Sequence, residues 1–329
     1  MNGASSIAPG AAASPGAMAC PAAPSAARRR FAALVAGFAL LVIFAGAQVK
    51  SHQAGLAVPD WPLSYGQWMP PMVGNIFYEH GHRLVAATVG LLTLALALWT
   101  ARAEARRGVR RLAWACLAAV VAQGLLGGLT VLLLLPPSVS IAHAVLAQTY
   151  FGLVTWVAFA VSREGCAPAA GAMPTSVVRS AGIAVAAVWV QLLLGAIMRH
   201  NEAGLVVPFF PVDASFRLWP ASVDTRVVLH LLHRGFAFVV LPLVLLAAWR
   251  AARALPRLAL HAWALGLLVC GQLLLGASVI WTAGRSPADG TTPVVSPVPA
   301  SAHVATGALI LALAWLLFLR ARHARGATP

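Results

Sequence analysis

Eight apolar runs, each of about 20 residues, alternate with shorter polar segments along this chain of 329 residues. A run of this length crosses the roughly 30 Å hydrocarbon core of a membrane as an α-helix. A helix is expected because a lipid-exposed backbone must satisfy its own hydrogen bonds. The pattern therefore predicts eight membrane-spanning helices, at Phe31 to Val49, Phe77 to Ala101, Leu112 to Leu135, Ser138 to Val161, Val177 to Met198, Arg226 to Trp249, Leu260 to Thr282 and Ala300 to Leu319.

The first four runs resemble the last four at a nearly constant spacing. Gln123 and Gly127 in the third run recur 149 residues later as Gln272 and Gly276 in the seventh. Four helices per repeat is an even number, so both halves enter the membrane with the same orientation. We therefore expect an all-α integral membrane protein built as two parallel-repeat four-helix bundles.

Composition and charge agree with a membrane location and assign an orientation. Hydrophobic residues make up 60% of the chain and charged residues only 9%, which is too little polar surface for a soluble globule. The formal net charge is +15, but sixteen of the 23 Lys and Arg residues lie on one side of the predicted helices. This is the positive-inside pattern, so we expect a multi-pass protein of the cytoplasmic membrane with both termini cytoplasmic and no nucleic-acid partner. Residues 1–30 are expected to form a disordered cytoplasmic tail, 31–165 the N-terminal half and 166–329 the C-terminal half.

Four histidines lie a few residues from the outer ends of the second, fourth, sixth and eighth runs: His82, His143, His233 and His303. Ionisable residues inside a membrane are costly and are functional candidates by default, although any single one can be a helix-packing residue. Two imidazoles on facing helices can supply both axial ligands of a heme iron. Zinc would require three or four clustered ligands, and the cysteines are not at this depth. We therefore predict two heme sites, one per half.

One acidic residue, Glu79, lies within a predicted helix. It precedes His82 by three residues and shares its helical face, and His230 holds the equivalent place before His233. Glu79 is a candidate proton donor or acceptor beside a reacting heme; the alternative is an interfacial acid paired with a basic neighbour. His80 is expected to face a neighbouring helix. Four basic residues near the outer ends are candidates for binding heme propionates: Lys50, Arg83, Arg199 and Arg234.

Two segments carry a family resemblance. The sequence GLAVPDWP at 55–62 and the sequence EHGHR at 79–83 resemble the first outer loop and second helix of heme A synthases. The likeness extends over nearly all of the chain after the tail and includes His143, His233 and His303. It implies an enzyme, an oxidoreductase that converts the C8 methyl of heme O to a formyl and so makes heme A for cytochrome oxidase.

The resemblance also implies which heme each half binds. A b-type heme (heme b) would bind His233 and His303 in the C-terminal half. The substrate heme would bind His82 and His143 in the N-terminal half, beside the catalytic Glu79. Implied partners are heme O, a heme O synthase, cytochrome oxidase assembly factors, an electron donor and membrane lipid, with a homo-oligomer left open.

One departure from the family and two rival functions stay open. Many bacterial members carry a cysteine pair in the first outer loop, where this chain has Val58 and Ser64, so a thiol-based role of the loop is in doubt. A diheme b-type electron-transfer protein would have a similar histidine pattern, but a carboxyl beside only one site favours chemistry there. A transporter or heme-handling assembly factor is the other alternative.

Overall fold

Eight long helices form the protein in a computed structural model that describes residues 24–169, 173–212, 216–220, 222–285 and 293–326. All eight are long and apolar enough to cross a membrane, as the hydrophobic pattern predicts. They are α1 (Ala26–Ser51), α2 (Asn75–Ala103), α3 (Arg107–Leu132), α4 (Pro137–Ala160), α6 (Thr175–His200), α7 (Thr225–Ala254), α8 (Ala259–Trp281) and α9 (Pro297–Ala324).

Three short elements occupy the connections. A single helical turn, α5 (Arg163–Cys166), follows α4, and a 3₁₀ turn (Pro256–Leu258) precedes α8. An antiparallel pair of two-residue strands, β1 (Gly284–Arg285) and β2 (Pro293–Val294), lies between α8 and α9. The all-helical class is therefore confirmed. In the described residues β1 and β2 are the only strands, and they form this one short ribbon.

Side-chain hydrogen bonds cap the N-termini of α1 and α7. The Ser25 side chain accepts a hydrogen bond from the Arg28 backbone N–H, so α1 starts at Ala26, and residues 26–30 are helical rather than part of the expected tail. Residues 1–23 of that tail lie outside the described residues. The Asp224 carboxylate caps α7 in the same way by accepting from the Val227 N–H at 2.8 Å.

Each set of four long helices closes into a bundle in which chain neighbours touch. In the first half α1 contacts α2, α2 contacts α3, α3 contacts α4, and α4 returns to α1. Helices α6 to α9 follow the same order. Between the halves, α1 and α4 pack against α9, and α4 also packs against α6. This packing supports the predicted duplication, which remains a prediction.

The longest connections lie at one end of the bundle, which we call the outer end. It carries the segments between α1 and α2 and between α6 and α7. At the opposite end the Glu104 carboxylate, following α2, binds Arg28 at 3.2 Å and Arg106 at 2.9 Å. Burial raises the pKa of Glu104, but the hydrogen bonds from Arg106 and the charge of Arg28 outweigh it and hold that pKa below its usual value. This network ties α1 to the α2–α3 turn.

Candidate functional site

The four predicted histidines sit in equivalent surroundings near the outer end. Each ring presents its Cε1 edge to a glycine on the preceding long helix, and a Cβ at that glycine would lie 2.9–3.2 Å from the ring carbon. Such a contact is tighter than ordinary van der Waals contact, so a larger residue would push the imidazole away from the helix backbone. The four pairs are His82 with Gly46, His143 with Gly127, His233 with Gly195 and His303 with Gly276.

A half-buried glutamine one helical turn before the glycine contacts three of these histidines. Its side-chain Nε2 donates to the histidine backbone carbonyl, from Gln123 to His143 at 2.9 Å and from Gln191 to His233 at 2.9 Å. Gln272 makes the same bond to His303 at 2.8 Å. We call each such pair of residues, four apart on one helix, a glutamine–glycine cradle.

The sequence pattern did not predict that the glutamine–glycine cradles contact the histidines. The recurrence of Gln123 and Gly127 as Gln272 and Gly276 identified the repeat, but nothing in the pattern showed that these side chains face the histidines. The available signal was the spacing: a glutamine and a glycine four residues apart lie on one helical face, and they occur on the helix before a histidine helix.

The two histidine rings of the C-terminal pair lie at a distance that a metal bound between them would require. The ring centres of His233 and His303 are 6.3 Å apart, and the ring planes are inclined by 78°. Two imidazoles on one metal bring their ring centres about 6 Å apart, because each metal–nitrogen bond is about 2 Å and each ring centre lies about 1 Å beyond its nitrogen. In the N-terminal half the His82 and His143 rings are close enough for a charge on one to affect the other.

Heme fits these residues better than zinc does. No group of three His, Cys, Asp or Glu side chains in the described ranges is placed to hold a metal ion. An iron-bound imidazole needs an acceptor for its Nδ1–H. The Nε2 atoms of Gln123 and Gln191 lie 3.1 and 3.2 Å from the Nδ1 atoms of His143 and His233. Each of these half-buried amides also carries an Oε1 without a partner among the described residues, which can accept that proton when the amide is turned over, in exchange for the Nε2 bond to the histidine carbonyl.

Glu79 is buried on the helix that carries His82 and takes part in an ion pair. Its side chain is 7% exposed, and its Oε1 accepts from Arg83 Nε at 3.0 Å. The equivalent contact in the second half joins His230 Nε2 and Arg234 at 2.7 Å, while His230 Nδ1 lies 2.8 Å from the Ala203 carbonyl oxygen. The two halves therefore keep the same arginine but differ in its partner, a carboxylate in one and an imidazole in the other.

Arg83 and Arg234 organise the outer segments. The Arg83 guanidinium donates to the carbonyl oxygens of Val58, Asp60 and Leu63 at 3.2, 2.8 and 2.9 Å. Arg234 donates in the same way to the carbonyl oxygens of residues 207 and 209, at 3.3 and 3.0 Å. Backbone carbonyls therefore bind both arginines, and their expected role as propionate partners stays a prediction.

The other two basic candidates also have protein partners. Lys50 forms an ion pair with Glu202 across the two halves. Arg199 donates to the Ala47 carbonyl at 3.0 Å and to Ser51 Oγ at 2.8 Å. These contacts join α6 to the outer end of α1, so all four basic residues stabilise the outer end of the bundle.

The two positions that hold cysteines in many family members are buried here. Val58 and Ser64 are both fully buried, and Ser64 Oγ lies 2.8 Å from His80 Nδ1. The expectation that His80 faces a neighbouring helix is therefore wrong: its ring binds the loop, because the loop folds back over the first turns of α2. The serine at 64 connects that loop to α2 by a hydrogen bond.

The same loop is tightened by an acid at its turn. The Asp60 carboxylate accepts hydrogen bonds from the backbone N–H groups of Tyr65 and Gly66 at 2.6 and 2.8 Å. These bonds favour the ionised form and lower the pKa of Asp60 below its usual value. Trp61, next along the loop, packs against Gly128 of α3, so the loop covers the outer mouth of the N-terminal bundle.

Known proteins resemble this chain over most of its length. A family model described as cytochrome oxidase assembly protein matches residues 29–289. The heme A synthase of Symbiobacterium thermophilum is 33% identical over 250 residues, covering 72% of this chain and 80% of that protein. The heme A synthase of a Methylobacterium species is 35% identical over 311 residues, with 78% and 84% covered. That of Shewanella oneidensis is 28% identical over 283 residues, with 73% and 84% covered.

Proposed function

We propose, from the premise that this chain belongs to the family of cytochrome oxidase assembly proteins that includes the heme A synthases, that it converts heme O to heme A. It is a membrane enzyme, an oxidoreductase acting on the C8 methyl of heme O, with a role in cytochrome oxidase assembly. The observation that carries this conclusion is the set of four imidazoles, each laid against a glycine of a neighbouring helix, in a chain that such relatives match over more than two thirds of its length.

The two halves are assigned different hemes. In this proposal His233 and His303 hold a resident heme b, and the 6.3 Å separation of their rings supports that assignment. His82 and His143 hold the substrate heme O in the N-terminal half. The resident heme supplies one-electron transfer when bound. The protein's own contribution is to fix the imidazoles, to exclude water with the outer loops, and to move protons at the substrate.

Glu79 is proposed as the group that moves those protons. It lies on the face of α2 that carries His82, and its counterpart in the C-terminal half is not an acid. Converting a methyl to a formyl releases protons as well as electrons, and a buried carboxylate can accept them. Arg83 donates a hydrogen bond to Glu79 Oε1. In this proposal the ion pair positions the carboxylate, and the carboxylate accepts the protons.

The rival function is a diheme electron-transfer protein, which the four equivalent histidines also allow. The bound hemes separate the two. We expect purified protein to yield heme B together with heme O or heme A when its hemes are extracted and chromatographed. A substrate heme would be absent from a pure electron carrier, so heme B as the one extracted heme would favour the rival.

Partners follow from the chemistry of the substrate. Heme O must be supplied by a heme O synthase and heme A must pass to cytochrome oxidase assembly factors, and both are proposed as partners. Oxidising the methyl to a formyl requires an oxidant that takes up the electrons and a source of the formyl oxygen, and an electron donor is proposed as a further partner. Lipid surrounds the eight apolar helices.

The orientation proposed for this multi-pass protein places both termini in the cytoplasm and the outer end on the opposite side of the cytoplasmic membrane. The exposed Trp68, in the segment between α1 and α2, and Arg325, after α9, report the two sides. In intact cells we expect a membrane-impermeant thiol reagent to label Trp68→Cys, and to label Arg325→Cys only after permeabilisation, relative to the parent protein. The reverse pattern would overturn the orientation.

A further inference from the structure

Three of the four heme-ligand histidines rest in a complete glutamine–glycine cradle, and His82 does not. Gly46 on α1 lies against the His82 ring as the other glycines do. The residue one turn before it is Val42, whereas the equivalent residue 149 positions later, before Gly195, is Gln191. The repeat therefore places a valine where its second copy has the amide.

The difference leaves the four histidines unequally held. For His143 and His233 the amide nitrogen meets both the backbone carbonyl and Nδ1. For His303 it meets the carbonyl alone. His82 has no glutamine beside it, so its backbone carbonyl receives no amide hydrogen bond; its Nδ1, like that of His303, has no hydrogen-bond partner among the described residues.

The unheld ligand belongs to one particular pair. In the C-terminal half both histidines are held, by Gln191 and Gln272. In the N-terminal half His143 is held by Gln123 on the helix that adjoins α4, while His82 has only the glycine contact. His143 is also on the helix that packs against the other half, whereas α2 lies away from that interface.

We propose that Val42 makes His82 the exchangeable iron ligand of the N-terminal half, through which the substrate heme is admitted and the product heme is released. This inference rests on the proposed function, because it assigns the substrate heme to His82 and His143. A resident heme gains from two held ligands, since an amide bonded to the backbone carbonyl of a ligand histidine fixes the helix turn that carries the imidazole. A heme that must leave after each turnover requires one iron–nitrogen bond that breaks readily, with the lone pair returning to the imidazole.

The test uses carbon monoxide as a probe on the complete protein, reduced and loaded with heme O. Iron with two axial imidazoles binds carbon monoxide only after one iron–nitrogen bond opens, so the binding rate reports ligand release without turnover. We expect Val42→Gln to slow carbon monoxide binding at the N-terminal heme by about 2- to 10-fold, the range that one hydrogen bond supplies. Gln191→Val, the matched exchange in the other half, should make the resident heme bind carbon monoxide faster by a similar factor.

Val42→Leu is the volume control, because it adds bulk without an amide. Equal slowing by Val42→Leu and Val42→Gln would overturn the proposal, since the amide would then not be the cause. Unchanged rates in Val42→Gln and Gln191→Val would also overturn it. If Val42→Gln fails to take up heme O, Gln191→Val decides alone, because it removes the amide without adding volume.

Conversion of heme O to heme A is measured on the same samples, which separates the two claims. Absence of heme A from wild-type protein with the expected carbon monoxide rates would refute the proposed function and leave the unequal ligands in place. Production of heme A with unchanged rates in both variants would refute the exchangeable ligand alone.

Discussion

Replacing His303 with alanine is expected to remove the low-spin absorption band of the resident heme b while the protein still inserts in the membrane. In the proposed assignment His233 and His303, whose ring centres are 6.3 Å apart, are the two axial ligands, so loss of His303 would leave the iron with one. Removal of a residue that merely supports a ligand typically lowers metal affinity by about 10- to 100-fold, so loss of the ligand itself should cost at least as much. His233→Ala should have the same effect. The measurement is the absorption spectrum of the reduced, purified variant beside its heme B content.

His261→Ala serves as the matched control. His261 lies on α8, toward the end of the bundle opposite the heme sites, and its Nε2 is 2.8 Å from the Leu313 carbonyl oxygen. This variant removes a partly buried, helix-packing imidazole and should keep the heme spectrum. An unaltered heme B spectrum in both His233→Ala and His303→Ala would refute the ligand assignment.

The helices could be predicted from sequence because membrane crossing imposes a strong and local constraint. A run of about 20 apolar residues has few other structures available to it in lipid. The ends were less predictable because capping and interfacial residues extend the helices. Helix α1, for example, starts at Ala26 and carries its three arginines inside its first turns.

The four candidate histidines could be identified from sequence because an ionisable residue is rare in an apolar run and these four recur together; their role as iron ligands stays a prediction. Their surroundings could not be predicted from sequence. Whether Arg83 meets a propionate or the carbonyls of the loop depends on how the loop folds, and the loop is held by contacts that are distant in sequence. The same holds for Ser64, whose role as a partner of His80 follows from loop packing.

The glutamine–glycine cradles show that comparing the two sequence repeats position by position can identify residues near the candidate site. A repeat offset locates equivalent residues, and the informative positions are those where the copies differ. Two such differences stand in one half: Glu79 against His230, and Val42 against Gln191. Glu79 precedes His82 by three residues, and Val42 lies one turn before the glycine that contacts the His82 ring, so both differences stand near one proposed iron ligand.

Glu79→Gln is expected to preserve membrane insertion and the resident heme b, and to cause heme O or a partly oxidised heme to accumulate in place of heme A. The amide keeps an oxygen that can accept from Arg83, so the loop remains in place. It removes the group that takes up protons, and general acid–base groups typically contribute about 10²- to 10⁴-fold in rate. The loss should therefore be large without being absolute.

Two variants separate this chemistry from a structural role of the ion pair. His230→Gln makes the equivalent change in the C-terminal half and should alter the redox behaviour or occupancy of the resident heme more than the identity of the product. Arg83→Lys weakens the bonds to the loop carbonyls while keeping the charge beside Glu79. If loop anchoring were the whole role of Glu79, Arg83→Lys would lower heme A formation as much as Glu79→Gln.

Chromatography of the hemes extracted from cells that make heme O, lack a heme A synthase of their own and express this chain tests the central claim most directly. The account predicts heme A in cells with the wild-type chain, and heme O with little heme A in cells with Glu79→Gln. Absence of heme A with an inserted, heme-containing wild-type protein would contradict the assigned activity. Heme A at the wild-type level with Glu79→Gln would contradict the N-terminal half as the reaction site.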